Sequence, residues 1–147
     1  MKKIFFIASL FLAFHLSAQT DTAVKKVVKI PKGYEAKIDE VYSVIGDWKG
    51  MEDIYFNPTS KEPTPIIFNI HGGGWKNGTK DSQGGFNAFF KMGFAVGNIG
   101  YRLTGKATAP AAIEDVRGAI LYVVKHAKEL NVNPHKIVIM GGSAGGH

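Results

Sequence analysis

Residues 136–147 read Lys-Ile-Val-Ile-Met-Gly-Gly-Ser-Ala-Gly-Gly-His, KIVIMGGSAGGH in one-letter form. Ile137 to Met140 form a short apolar, β-branched run, the pattern of a strand buried on both faces of a parallel sheet. The run passes directly into glycines around a single serine. Gly141-Gly142-Ser143-Ala144-Gly145 fits G-x-S-x-G immediately after a strand, where a serine sits on a strained strand-to-helix turn with its hydroxyl beyond the end of the sheet. The small flanking residues let neighbouring backbone approach without a clash. Ser143 is therefore the candidate nucleophile, although the pentapeptide alone fits a plain flexible turn equally well.

A second glycine-rich loop lies upstream. PTPIIFNIHGGGW carries the apolar run Ile66-Ile67-Phe68, extended to Ile70, and then His71-Gly72-Gly73-Gly74-Trp75. Glycines leave backbone N–H groups unshielded and able to aim at a developing oxyanion, where one donor contributes about 2.7–4 kcal/mol in the transition state. A flexible surface loop is the plainer reading. The apolar strand before the loop and the Trp after it weigh against that reading.

The rest of the chain alternates strands with helices. IDEVYSVIG and MEDIYFNP, ending at Gly46 and at Asn57-Pro58, suggest a strand hairpin; FNAFFKMGF suggests a short helix and Ala95 to Ile99 another buried strand. ATAPAAIEDVRGAILYVVKHAKEL is the clearest helix, with Pro110 placed for its first turn. Ile113, Val116, Ile120, Val123, Ala127 and Leu130 are spaced as one apolar stripe. Asn133-Pro134 is expected to end it. Asp115 is expected to hydrogen-bond locally at the helix start, and His126 and His135 to lie on a solvated helix end and a loop. This alternation implies right-handed crossovers and an α/β fold: a mainly parallel sheet opened by an antiparallel hairpin and flanked by helices.

Composition and spacing exclude several classes of function. The chain has 147 residues, 45% hydrophobic and 20% charged, which suits one domain with one core. MKKIFFIASLFLAFHLSAQT joins Lys2 and Lys3 to an apolar run ending in Ser17 and Ala18, the pattern of a secretory signal peptide over residues 1–18. Residues 19–37 read as an irregular lead-in and 38–147 as the globular part. The chain has no Cys, hence no disulfide and no lipid-bearing cysteine, so a secreted or periplasmic protein without a stable membrane anchor is expected. Its net charge of +6 is scattered rather than clustered, which argues against a nucleic-acid partner. Neither glycine loop has the Gly-Lys-Ser/Thr of a phosphate loop, and Asn77 occupies the third glycine position of G-x-G-x-x-G in HGGGWKNG. Without H-E-x-x-H or any cluster at metal-ligand spacing, neither metal nor cofactor is expected.

Together HGGGW and GGSAGG resemble the α/β-hydrolase superfamily of esterases and lipases, in which the glycine loop precedes the nucleophile in sequence. The resemblance covers about Val41 to His147, including DIYFNP, Tyr101-Arg102-Leu103 and APAAIEDV. It is strongest to secreted bacterial esterases related to feruloyl and acetyl-xylan esterases. Gly142 stands where hormone-sensitive-lipase-like enzymes usually have Asp. The resemblance implies that Ser143 is the nucleophile and that the backbone N–H groups of Gly73, Gly74 and Ala144 form the oxyanion hole. Within HGGGW it implies that His71 holds the loop in shape beside Gly72, and that Trp75 flanks the acyl pocket; an aromatic filling a gap over the sheet is the alternative for Trp75.

In that superfamily the acid and histidine of the triad follow the serine, so both are expected beyond His147, with this sequence as the N-terminal half of the fold. His147 itself is expected behind the serine and not as its base. A catalytically inactive product, or an amidase or peptidase on the same fold, are the competing readings.

Overall fold

Two strands come first among the described elements: β1, Glu35–Ile45, and β2, Trp48–Phe56, an antiparallel hairpin turning at Gly46 with φ +61°. The structure is a computed structural model describing residues 26–147, so the expected signal peptide lies outside the described residues. β1 begins at Glu35, ahead of the Ile38 boundary expected from sequence. Its pairing with β2 shifts register twice, between Lys37 and Glu40 and between Val41 and Ser43, and Asp39 takes φ +56° at the first shift. Such bulges twist an edge strand away from flat pairing with another chain.

β3, Thr64–Ile70, leads through α1, Asn87–Lys91, to β4, Ala95–Ile99; α2, Ala111–Lys125, then leads to β5, Val132–Gly141. The five strands lie in the order β1-β2-β4-β3-β5. β2 runs antiparallel to β1 and β4, whereas β3 runs parallel to β4 and β5, so the sheet is mixed around a parallel β4-β3-β5 core. Alternation along the central strands divides the core by face. Ile54, Ile66, Phe68 and Ile99 pack with Ala119 and Val123 of α2, and Tyr55, Ile67 and Val96 pack with Phe86 and Phe90 around α1. Each fully buried Ile, Val or Phe contributes about 1.5–3 kcal/mol. With the two helices on opposite faces, the chain moves from β3 to β4 in one direction and from β4 across β3 to β5 in the other. The crevice between the carboxyl ends of β3 and β5 is then a topological switch point, where open α/β sheets bind ligands.

Three expectations need correction. α2 ends at Lys125, and Leu130 closes a turn onto the His126 carbonyl, so the helix stops well before Asn133-Pro134, which lies within β5. Ile113 is 58% exposed and does not belong to the buried stripe, whose core positions are Ala111, Asp115, Ala119 and Val123. The apolar run of β5 is not buried on both faces: Ile137 and Met140 pack against the two core clusters, whereas Val138 and Ile139 join neither and are exposed.

Candidate active site

β3 and β5 end level with each other, Ile70 opposite Gly141, so the chain leaves both strands side by side. The loop after β3 begins at His71, and the loop after β5 turns at Gly142 into a single 3-10 turn, Ser143–Gly146. Steric room dictates the glycines here. A Cβ on Gly145 would stand 2.3 Å from the Ile70 carbonyl oxygen and 2.8 Å from that of His71, and one on Gly141 would stand 2.0 Å from the Gly145 carbonyl oxygen. The serine turn is thus folded tightly against the root of the upstream loop.

Ser143 is exposed and takes φ +53°, a left-handed conformation that costs a non-glycine residue about 1–2 kcal/mol. Such strain persists only where the surroundings over-determine it. The upstream loop has the same character, with Gly73 at φ +124°, Gly74 at +60° and Trp75 at +59°. The two loops touch: a Cβ on Gly72 would lie 2.7 Å from the Gly142 carbonyl oxygen and 3.3 Å from the Ser143 Cβ. Ala144 is buried within the serine turn. The structure therefore sets Gly72 against Gly142 and Ser143, with Gly73 and Gly74 following Gly72 in one loop and Ala144 following Ser143 in the other.

His71 lies at the root of the loop, 2% exposed. Its Nδ1 is 2.8 Å from the Gly72 carbonyl oxygen, which only accepts, so Nδ1 carries the proton and donates. Burial lowers its pKa and keeps the imidazole neutral, outweighing the opposing effect of that hydrogen bond. Gly78, at φ +96°, closes the loop from the other side, where a Cβ would stand 2.4 Å from the Gly72 carbonyl oxygen and 2.7 Å from His71 Nδ1.

Trp75 lies at the rim, 40% exposed, rather than in a gap over the sheet. Its carbonyl accepts a hydrogen bond from the Thr104 N–H at 2.8 Å, and its ring meets His147 edge-on with centroids 5.7 Å apart. Trp75, His147, Ile113 and residues 107–110 line an apolar hollow of about 340 Å³. The Nδ1 of His147 is 3.1 Å from the Ser143 backbone carbonyl, so its ring engages the serine's main chain.

Sequence reasoning missed the support behind the loops. Asp115 does not bond locally: it is 3% exposed and clamps Arg102, receiving the Arg102 backbone N–H at 2.8 Å, Nε at 2.9 Å and Nη2 at 2.8 Å. The Arg102 guanidinium also lies over the Trp48 ring, 5.3 Å from its centroid. Tyr101 beside it is buried against His71. The residues of this cluster stand in YRL and IEDV, but the spacing of those stretches does not reveal that they meet. His126 bonds the Tyr122 carbonyl, and His135 is exposed but lies within β5 rather than on the loop expected from sequence. Among the described residues no cluster of His, Asp and Glu has the geometry to hold a metal ion, and no helix is long and apolar enough to cross a membrane.

A mixed sheet with a parallel β4-β3-β5 core flanked by helices, with a left-handed serine at the switch point and a glycine loop against it, defines an α/β hydrolase. Solved structures agree: the chain superposes on a bacterial heroin esterase with a TM-score of 0.64 at 32% identity, covering 78% of this chain and 37% of that one. It also superposes on a truncated carbohydrate esterase from gut microbiota, with a TM-score of 0.66 at 31% identity, covering 77% and 41%. More particularly, the chain belongs to the BD-FAE family, whose sequence model matches residues 52–147. It is 32% identical over 106 residues to the carboxylesterase NlhH of Mycobacterium tuberculosis, covering 68% of this chain and 33% of that protein. The chain spans a third or less of the length of the curated relatives it matches.

Proposed function

We propose that this chain carries the nucleophile and oxyanion half of a serine carboxylesterase. Ser143 attacks the ester carbonyl and an acyl-enzyme forms; water then releases the acid in a second step. The N–H groups of Gly73, Gly74 and Ala144 receive the developing oxyanion, and His71 with Gly72 holds the loop that aims them. The observation that carries this reading is the contact between Gly72 and the left-handed Ser143, which sets a loop of glycines against a strained, exposed hydroxyl. Among the described residues the N–H groups of Gly73 and Gly74 have no backbone acceptor, consistent with donors reserved for substrate. The general base and its acid are supplied by residues beyond His147. The protein acts outside the cytoplasm after removal of residues 1–18.

The proposed substrates are carboxylic esters, among them acetyl or feruloyl groups on plant polysaccharide, because the structural relatives include a carbohydrate esterase. The test is hydrolysis of p-nitrophenyl acetate, methyl ferulate and acetylated xylan by the full-length protein and its Ser143→Ala variant, beside matched amides. Ester turnover that falls at least about 10⁴-fold in the variant supports the reading. Turnover unchanged by the substitution, or a preference for the amides, overturns it.

A further inference from the structure

We infer that Tyr101 is a positioning residue for the oxyanion loop, acting through the backbone of His71; this rests on the esterase reading above. Tyr101 follows β4, is 6% exposed, and donates its hydroxyl hydrogen to the His71 carbonyl oxygen at 2.9 Å. Its ring also stacks on the His71 imidazole, with centroids 4.2 Å apart and planes 10° from parallel. One side chain thus grips both the main chain and the side chain of the residue from which the loop departs.

The carbonyl that Tyr101 holds is also the one against which the serine turn packs, since a Cβ on Gly145 would stand 2.8 Å from it. The His71 peptide therefore lies between the Tyr101 hydroxyl and the turn bearing Ser143. A rotation of that peptide moves Gly72, which touches Ser143, and tilts the N–H groups of Gly73 and Gly74 that follow. Burial alone would be served by phenylalanine. The hydroxyl adds a directional constraint, and its loss leaves a buried carbonyl without this donor.

Tyr101 is itself held from behind. The neighbouring Arg102 is clamped to Asp115 through its backbone N–H and its guanidinium, so α2 fixes the height at which Tyr101 meets His71. The resulting line of contacts runs from Asp115 on α2 through Arg102 and Tyr101 to His71 and the glycines. Apart from the peptide bond that joins Tyr101 to Arg102, each link is a hydrogen bond, an ion pair or a ring stack between residues that are buried or mostly so.

Oxyanion donors act mainly in the transition state, so misaiming them lowers kcat and leaves KM nearly unchanged. The test is Tyr101→Phe in the full-length protein, which keeps the ring stack and removes the hydroxyl. The expected result is a kcat lower by about tenfold, with KM within twofold of wild type. The rate of fluorophosphonate labelling at Ser143 falls by the same factor, and the backbone amide NMR shifts of Gly72 to Gly74 move in the folded protein; this last measurement needs no turnover and remains informative if the variant is weakly stable. Wild-type kcat and wild-type amide shifts at Gly72 to Gly74 in the variant overturn the assignment, as does a lowered Tm with the specific activity of the folded fraction unchanged. Failure of the underlying esterase reading looks different: the wild-type protein then shows no Ser143-dependent hydrolysis or labelling, and the assignment falls with it.

Discussion

Replacing Gly72 with alanine adds one methyl group where the glycine loop meets the serine turn. The backbone of Gly72 is not left-handed, so alanine suits its dihedrals and the substitution tests proximity alone. The new Cβ would lie 2.7 Å from the Gly142 carbonyl oxygen, whereas ordinary contact begins at 3.4 Å, and the Ser143 Cβ stands only 3.3 Å away on the same side. The two loops must therefore part by several tenths of an ångström. A misplacement of about 1 Å between reacting groups costs about 10²-fold in rate, which corresponds to roughly 2.7 kcal/mol in the barrier. The accompanying overpacking lowers stability by about 1–3 kcal/mol. The assay is kcat/KM for p-nitrophenyl acetate in the full-length protein, at a temperature where thermal melting shows the variant folded. Gly74→Ala is the control, because a Cβ there meets nothing within 4 Å and only the φ of +60° is strained. Gly72→Ala is expected to lose about a hundredfold and Gly74→Ala less than tenfold. A Gly72→Ala enzyme within threefold of wild type would refute the inference that this contact sets the catalytic geometry.

Ser143→Gly removes the nucleophile and also relieves the left-handed strain at φ +53°, so stability is expected to rise by up to about 1 kcal/mol as activity vanishes, read by thermal melting; a lower Tm contradicts a strained serine. Asp115→Asn removes the charge that clamps Arg102 and is expected to cost about 3 kcal/mol in chemical denaturation, at the lower end for a broken buried pair because Glu114 remains 3.8 Å from the guanidinium. A loss below 1 kcal/mol contradicts that clamp. Glu52 is fully buried and neither carboxyl oxygen has a partner, so burial, reinforced by Glu40 and Asp53, raises its pKa well above the ordinary carboxylate value. Its folded-state pKa exceeds its unfolded one, hence its stabilising effect is complete below about pH 4.3 and is lost as pH rises through the folded value. Glu52→Gln is expected to raise Tm at pH 8 and leave it unchanged at pH 4; equal shifts at both contradict the assignment. His71 has the opposite sign: its depressed pKa gives stability that is present above about pH 6.5 and lost as pH falls through the folded value. His71→Asn is expected to flatten that acid limb of the thermal melts.

The elements that sequence reveals best are those set by local pattern. Ile66 to Phe68 and Ala95 to Ile99 are buried strands because their apolar runs suit a sheet covered on both faces, and the serine turn needs glycine at 145, where a Cβ would collide with the end of β3, and at 141, where one would collide with Gly145. Position within the sheet is not local. KIVIM has the pattern of a buried strand, yet Val138 and Ile139 are exposed because burial depends on what packs alongside β5. The Asp115 clamp was hidden for a related reason: a carboxylate near a helix start has a local role open to it, and only the return of α2 across the sheet brings Arg102 within reach. Tyr101 was visible as part of a motif, but its grip on His71 depends on β3 and β4 being parallel neighbours in register from Ile66 to Ile70.

The most direct test of the central claim is reaction of the full-length protein with a fluorophosphonate, followed by digestion and mass analysis of the modified peptide. The account predicts one adduct per chain, located on Ser143, absent from Ser143→Ala and slowed in Gly72→Ala. An unmodified Ser143, or an adduct on another residue that persists in Ser143→Ala, would contradict it.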